Sequence, residues 1–388
     1  MRSIQPGNAQ TTDVAIIGGG VIGLAVARAL ALRGVRGVVV LERTGPGSEA
    51  SSAAAGMLAP QAEADQADDF FRLACQSRDL YPSFAEQLEA ETGIDIEFDT
   101  TGTLYLALTE ADEEEIAKRF EWQSSAGLRV ERLSADDARH IEPCISEDVV
   151  SALRFPLDVQ VENRRLVGAL SESAKQLGVS LLTGVTVSTV RINNEVVAGL
   201  ETSQGFISTR NVVVAAGAWS SAVVSSDKRL PQIGIQPVRG QMVCLESSPR
   251  LARHVIYSPR GYIVPRVDGR LLAGSTSEHA GFDKRVTAAG IHSILSDAMD
   301  ISPDVAGLPL VDSWAGLRPR APDNLPVLGP YAEIEGLFYA TGHYRNGILL
   351  TPITGDLRAE AIIKRTNQPL LEPFSPNRFR SVGAKEAR

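Results

Sequence analysis

The chain has 388 residues, 44% apolar and 22% charged, with a formal net charge of −9. Such a composition belongs to soluble globular proteins, and the length is enough for more than one domain around a large core. The negative charge excludes nonspecific nucleic-acid binding, and no apolar stretch is long enough for a membrane-spanning helix. Cys75, Cys144 and Cys244 are too scattered to read as a disulfide framework or a metal site. Residues 1–13 are polar and lack the apolar segment of a signal peptide, so a cytoplasmic protein with reduced thiols is expected.

Residues 14–17 are a short β-branched run, which reads as a buried strand. Gly18, Gly20 and Gly23 follow at G-x-G-x-x-G spacing. The first allows a tight turn, the second lets the backbone approach a pyrophosphate, and the third lets a helix pack close to the strand. Residues 21–33 are good helix formers ended by Gly34, and residues 38–41 read as a second buried strand. Glu42 ends that strand, where a carboxylate accepts hydrogen bonds from an adenosine ribose and repels a 2′-phosphate. A glycine-rich turn in an ordinary α/β unit is the alternative; the strand, helix and acid together favour a dinucleotide site.

Residues 44–60 are small and polar, then small and apolar, as suits a loop that presses backbone N–H groups and the Ser51 and Ser52 hydroxyls onto phosphates. Helices are expected over 66–92, 111–127 and 163–178, with a short one capped by Ser134. Strands are expected over 103–108, 179–182, 185–192 and 196–200. Residues 211–220 form a buried strand running into a small-residue turn, a usual ligand position at the carboxyl edge of an open α/β sheet. Residues 237–317 alternate by twos, the mark of antiparallel sheet. A last strand over 337–342 leads to a helix over 348–364, and the residues after 369 read as a loose tail.

Several motifs occur in one order: SSAAAGMLA at 51–59, AAGAWS at 215–220, PVRGQ at 237–241, GYIVPR at 261–266, AGLRPRAPDNLPVLG at 315–329 and ATGHYRNGILLTP at 340–352. With the βαβ stretch they resemble the D-amino-acid oxidase family of FAD enzymes across residues 13–364. The resemblance implies an α/β chain, α+β overall, with a Rossmann-like FAD-binding domain (1–80, 151–235 and 315–370), a substrate domain built on an antiparallel sheet (81–150 and 236–314) and a tail (371–388). It implies oxidative deamination of glycine and related small amines, such as sarcosine and small D-amino acids, giving a 2-oxo acid, ammonia or amine, and hydrogen peroxide, in the service of thiamine biosynthesis. A dehydrogenase of the same fold that passes electrons to a quinone is the alternative. The partners implied are an amino-acid substrate and O2, with a homotetramer as the assembly.

The resemblance also implies sites. Glu42 and Arg43 belong at the adenosine end, with Gly18, Gly20, Ile22 and Gly23 at the pyrophosphate. Ala50, Ser51, Ala55, Gly56 and Met57 line the phosphates and flavin, and Val187 meets the adenine through its backbone. His343, Tyr344, Arg345, Asn346, Gly347, Ile348 and Leu349 wrap the O2 and N3 side of the flavin. Arg318 grips the substrate carboxylate, Arg345 supports the substrate site, and Tyr262 offers its hydroxyl to the same carboxylate. No cysteine follows Cys244, so the FAD is expected to be noncovalent.

An arginine fork suits a carboxylate because it presents paired N–H donors in a fixed plane. The alternatives are a surface Arg318 paired with Asp323, an Arg345 that faces the flavin edge without touching substrate, and a Tyr262 that merely packs on a sheet. Arg260 and Ser277 depart from the family pattern, where a histidine and a methionine stand near the substrate, which leaves the substrate range open.

Overall fold

In a computed structural model, which describes residues 10–226, 233–365 and 368–379, the apolar run Val14–Ile17 lies inside a six-stranded sheet. Its order is Val327–Pro330, Leu337–Thr341, Val212–Val214, Val14–Ile17, Val38–Glu42 and Ser180–Thr183. Every neighbour is parallel except the edge strand Val327–Pro330. Parallel strands need cover on both faces. One face carries the helices Val21–Leu32, Asp69–Thr92, Asn163–Gln176 and Thr351–Lys364. The other packs on a five-stranded sheet containing Val187–Asn193 and Val196–Thr202.

The second large element is an eight-stranded sheet in the order Leu310–Arg320, Gln236–Glu246, Arg270–Gly274, Tyr262–Pro265, Val255–Tyr257, Thr103–Ala107, Ser151–Phe155 and Glu131–Ser134. All of its pairings are antiparallel but one, between Val255–Tyr257 and Thr103–Ala107. Thr103–Ala107 is buried on both faces, not alternately. The helix Ala288–Ile301 covers one face, and aromatic and small side chains around Tyr105, Ala55 and Met242 cover the other.

Helix starts follow their caps. Asp68 accepts a hydrogen bond from the Phe71 N–H at 2.8 Å, so the helix begins at Asp69, three residues later than the apolar pattern suggests. Ser134 caps the helix Ala135–Ile141 in the same way. The last helix begins at Thr351, not at 348, because residues 343–350 are spent in turns around a Tyr344 of positive φ.

Of three expected boundaries, two fall inside elements and one separates a strand from its sheet. The helix Asp69–Thr92 runs through position 80, the large sheet takes Ser151–Phe155 from beyond 150, and the strand Leu310–Arg320 carries that sheet through 315, so Arg318 stands on it. The loose tail is also corrected. Pro369–Phe374 and Pro376–Phe379 are 3-10 turns, and Leu371 and Phe374 are fully buried against the core of the parallel sheet. Two apolar side chains at this spacing dock a segment whose prolines and polar residues otherwise read as unstructured. The leader reading at residues 1–9 and the end of the tail, 380–388, lie outside the described residues.

Phe374→Ala is expected to lower stability by about 3–5 kcal/mol, as loss of a fully buried ring does. Urea unfolding checks this: a docked segment gives a lower midpoint, and an undocked one leaves it unchanged.

Candidate functional site

One cavity of about 790 Å³ lies where the carboxyl ends of the parallel strands meet the large sheet. Its first wall is the glycine turn. Gly18 and Gly23 touch so closely that a Cβ on Gly23 would sit 2.0 Å from the Gly18 carbonyl oxygen. The helix Val21–Leu32 therefore opens tightly against the strand, with no side chain capping it at Gly20. The Ser51 hydroxyl accepts from the Val21 N–H at 3.1 Å. Glu42 closes the turn, taking the Gly19 N–H at 2.8 Å on one oxygen and the Thr44 N–H at 2.9 Å on the other. An uncapped helix N-terminus, a glycine turn and a carboxylate at the next strand end can hold the diphosphate and ribose of a dinucleotide.

Gly18, Gly20, Ile22, Glu42, Arg43, Ala50, Ser51, Ala55, Gly56, Met57 and Val187 all line this cavity, as do His343, Tyr344, Arg345, Asn346, Gly347 and Ile348. Gly23 lies behind the wall in its packing role. Leu349 is not on the wall: its side chain is buried in the core and its carbonyl accepts from the Ser77 hydroxyl at 2.6 Å. Six successive residues, 343–348, thus face the cavity, and the chain turns into the core at Leu349. Arg43 stacks on Trp219, with its guanidinium 4.4 Å from the ring centroid. None of the three cysteines lines the cavity, and all three are free thiols.

The far end of the cavity is built from side chains. Arg318 sits on the strand Leu310–Arg320, paired in register with Val238. Its guanidinium donates to the Thr276 carbonyl at 2.9 Å and the Ser275 hydroxyl at 2.7 Å. It leans over Gly240, where an added Cβ would lie 2.2 Å from one guanidinium nitrogen. Asp323 is not its partner, since Arg378 takes that carboxylate at 2.7 Å, and Arg320 bonds Asn324 instead. Behind Arg318, Glu278 accepts from the Thr276 hydroxyl, from Gln241 at 2.7 Å and from Arg239. Burial opposes its charge, but these donors hold its carboxyl down at about 2.

Tyr262 and Tyr257 are cross-strand partners whose rings lie 5.6 Å apart. Among the described residues the Tyr262 hydroxyl donates only to the Met242 sulfur, at 3.4 Å. Glu63 ties two further groups, accepting from Tyr257 at 3.0 Å and from Arg345 at 2.9 Å. The Glu63 charge raises Arg345, and burial and Glu63 together push the Tyr257 hydroxyl far up. Arg260 lines the cavity and pairs with Asp300 at 3.2 Å, whereas Ser277 is not on the wall. Sequence reasoning missed Glu63, Tyr257, Trp219 and Gly240; the last two stand inside motifs already singled out, and the first two carry no local signal.

Among the described residues no cluster of acids, histidines and cysteines could hold a metal ion, and no helix is long and apolar enough to cross a membrane.

A family model described as FAD dependent oxidoreductase matches residues 13–361. The glycine oxidase of Geobacillus kaustophilus is 38% identical over 368 residues, covering 94% of this chain and 97% of that protein. Its crystal structure superposes with a TM-score of 0.91, covering 95% of this chain and 99% of the other. The bifunctional protein ThiO/ThiG of Trichormus variabilis is 38% identical over 95% of this chain, which spans 55% of that longer protein.

His343, wholly buried beside Thr354, is held down to about 3 by burial. A histidine with a depressed folded pKa stabilises above its unfolded value near 6.5 and loses that contribution as pH falls. From pH 6.5 to pH 5 the loss is expected to be about 2 kcal/mol. Urea titrations at both pH values should therefore give a shallower drop for His343→Gln than for the wild type.

Proposed function

The chain belongs to the FAD-dependent oxidoreductase family whose model its residues 13–361 match, and from that premise we propose that it oxidatively deaminates glycine and related small amines at the Arg318 end of the cavity. The observation that carries this reading is a guanidinium, bonded among the described residues only to neutral oxygens, on the wall of a cavity whose other end suits a dinucleotide. The kinship to the glycine oxidase of Geobacillus kaustophilus supports the same substrate. A part in thiamine biosynthesis rests on the family resemblance.

When bound, FAD supplies a two-electron acceptor that is reoxidised by O2 to give hydrogen peroxide. The residues that would hold it are the glycine turn, Glu42 and Arg43 at the adenosine end, with residues 50–57 and 343–348 along the flavin. The expectation of noncovalent attachment is supported by the lack of a cysteine among the lining residues. Arg318 anchors the substrate carboxylate through paired N–H donors, and Thr276 and Ser275 fix the plane of that fork. Tyr262, whose hydroxyl has only a weak sulfur partner, adds a donor to the same carboxylate. Anchoring fixes the Cα–H direction, so the barrier is lowered by placement and not by a side-chain base. Glu63 on the same wall is already engaged by Arg345 and Tyr257. The substrate amine must be neutral to form the imine, so turnover should rise through the alkaline range. The imine then hydrolyses in water, giving glyoxylate and ammonia from glycine.

A tetramer follows from the resemblance, and Leu310 and Val311, more than half exposed on the outermost strand of the large sheet, are apolar surface suited to an interface. A cytoplasmic location agrees with three unpaired thiols.

Anaerobic glycine should bleach the flavin of the holoenzyme, and air should then yield one peroxide per glyoxylate. Bleaching without peroxide would mean a dehydrogenase, and no bleaching would overturn the reading. Arg318→Ala should cost about 2–5 kcal/mol in kcat/KM, the penalty for leaving a buried charge unpaired. Gly240→Ala should weaken glycine binding in the same direction, because its methyl group displaces the Arg318 fork.

A further inference from the structure

Four guanidiniums line the side-chain end of the cavity: those of Arg119, Arg260, Arg318 and Arg345. Three carry carboxylate partners. Arg119 pairs with Asp65 at 3.1 Å and Glu115 at 3.2 Å, Arg260 with Asp300 at 3.2 Å, and Arg345 with Glu63 at 2.9 Å. Among the described residues Arg318 has none, and its donors go to a carbonyl and a hydroxyl. The walls therefore present one uncompensated positive charge to an incoming anion.

Of the three paired cations, Arg345 is tied to the substrate end through aromatic contacts. Its partner Glu63 also holds the Tyr257 hydroxyl, and Tyr257 packs 5.6 Å from Tyr262, which shares the Arg318 end. Glu63 is fixed in place. It ends the short helix Pro60–Glu63, whose Gln61 bonds Gln123 at 2.9 Å and Arg78 at 3.0 Å and whose Ala62 N–H donates to the buried Asp158 at 2.7 Å. A carboxylate held on Arg345 engages one end of its fork, offsets its charge and repels a second anion, which is discrimination by a built-in unfavourable contact.

We infer that Glu63 restricts this site to amines bearing a single carboxylate, by occupying the Arg345 guanidinium that would otherwise accept a second one. The inference rests on the function proposed above. Glycine and sarcosine satisfy it, while N-carboxymethylglycine, with a carboxylate on each side of the amine, does not. Glu63→Gln keeps the shape and the hydrogen-bond acceptor but leaves the Arg345 charge uncompensated.

The test uses the FAD-loaded enzyme. Peroxide production is measured with glycine and with N-carboxymethylglycine, and flavin spectral titrations compare acetate with malonate. The wild type should bind acetate more tightly than malonate. Glu63→Gln should raise the kcat/KM ratio of the dicarboxylate to glycine by about tenfold or more, chiefly through KM, because like-charge contacts are the costly part of discrimination. Glu63→Asp, which keeps the charge, should return the ratio toward the wild-type value. An unchanged ratio in Glu63→Gln with glycine turnover retained would overturn the inference while leaving the proposed function intact. Wild-type malonate binding as tight as acetate would overturn it without any variant, which decides the matter even if Glu63→Gln fails to hold flavin. Failure of glycine to reduce the wild-type flavin would instead remove the proposed function, and the inference with it.

Discussion

The buried guanidinium of Arg266 joins the two large sheets, and the shape of the cavity depends on that joint. It stands just past the strand Tyr262–Pro265 and donates to the Ala55 carbonyl at 2.6 Å, the Val161 carbonyl at 2.8 Å and the Gln160 side chain at 3.0 Å. Ala55 lies on the cavity wall beside Gly56, and Val161 leads into the helix that covers the parallel sheet. One side chain of the large sheet thus fixes both the loop along the cavity and the return of the chain to the parallel sheet. Burial pulls Arg266 down to about 10, still far above neutrality, so it remains charged and its donors need acceptors. Carbonyl oxygens supply them at both terminal nitrogens without adding a competing anion to the wall.

The two ends of the cavity are stabilised by different means. At the glycine end the ligand-facing groups are backbone N–H groups and one carboxylate, set by the strand–turn–helix path itself. At the arginine end the ligand-facing group is a side chain, aimed by a backbone carbonyl and a hydroxyl that a network of further side chains supports. Arg239 and Gln241 hold Glu278, Glu278 holds Thr276, and the Thr276 carbonyl orients Arg318. Such a chain fixes a long flexible side chain to one rotamer, which a catalytic anchor needs, because a misaimed fork loses its paired geometry.

That difference explains what could be read from the sequence. The βαβ stretch, the small-residue loop and the strand ending at Val214 are main-chain features, and each has a compositional cause visible in a single segment: glycine where backbones touch, β-branched runs where strands are buried. Arg318 was legible through the motif that carries the family resemblance, while its place on the large sheet was not, since the alternating stretch reads as ending at 317. Glu63 and Tyr257 were not, because their partnership joins positions 194 residues apart and neither has a local pattern. The docking of Leu371 and Phe374 was lost for the same reason: two apolar residues among prolines show no period until a core exists to receive them. The late start of the last helix was lost because good helix formers at 348–350 are overruled by the turns that precede Thr351.

The two departures from the family pattern then separate. Ser277 is off the wall, and what its segment contributes is Ser275 and Thr276, the acceptors that aim Arg318. A change at 277 therefore reaches the cavity only through that aim. Arg260 is on the wall, and it brings a positive charge where the pattern has a titratable ring. Asp300 offsets that charge, but the pair is about half exposed on both sides, and such pairs hold only weakly. The Glu63–Arg345 pair has its carboxylate better shielded and shares it with a buried tyrosine. Both guanidiniums are about half exposed, so the two pairs differ in the anion: Asp300 is open to solvent and salt, whereas Glu63 is shielded and held by Tyr257 as well.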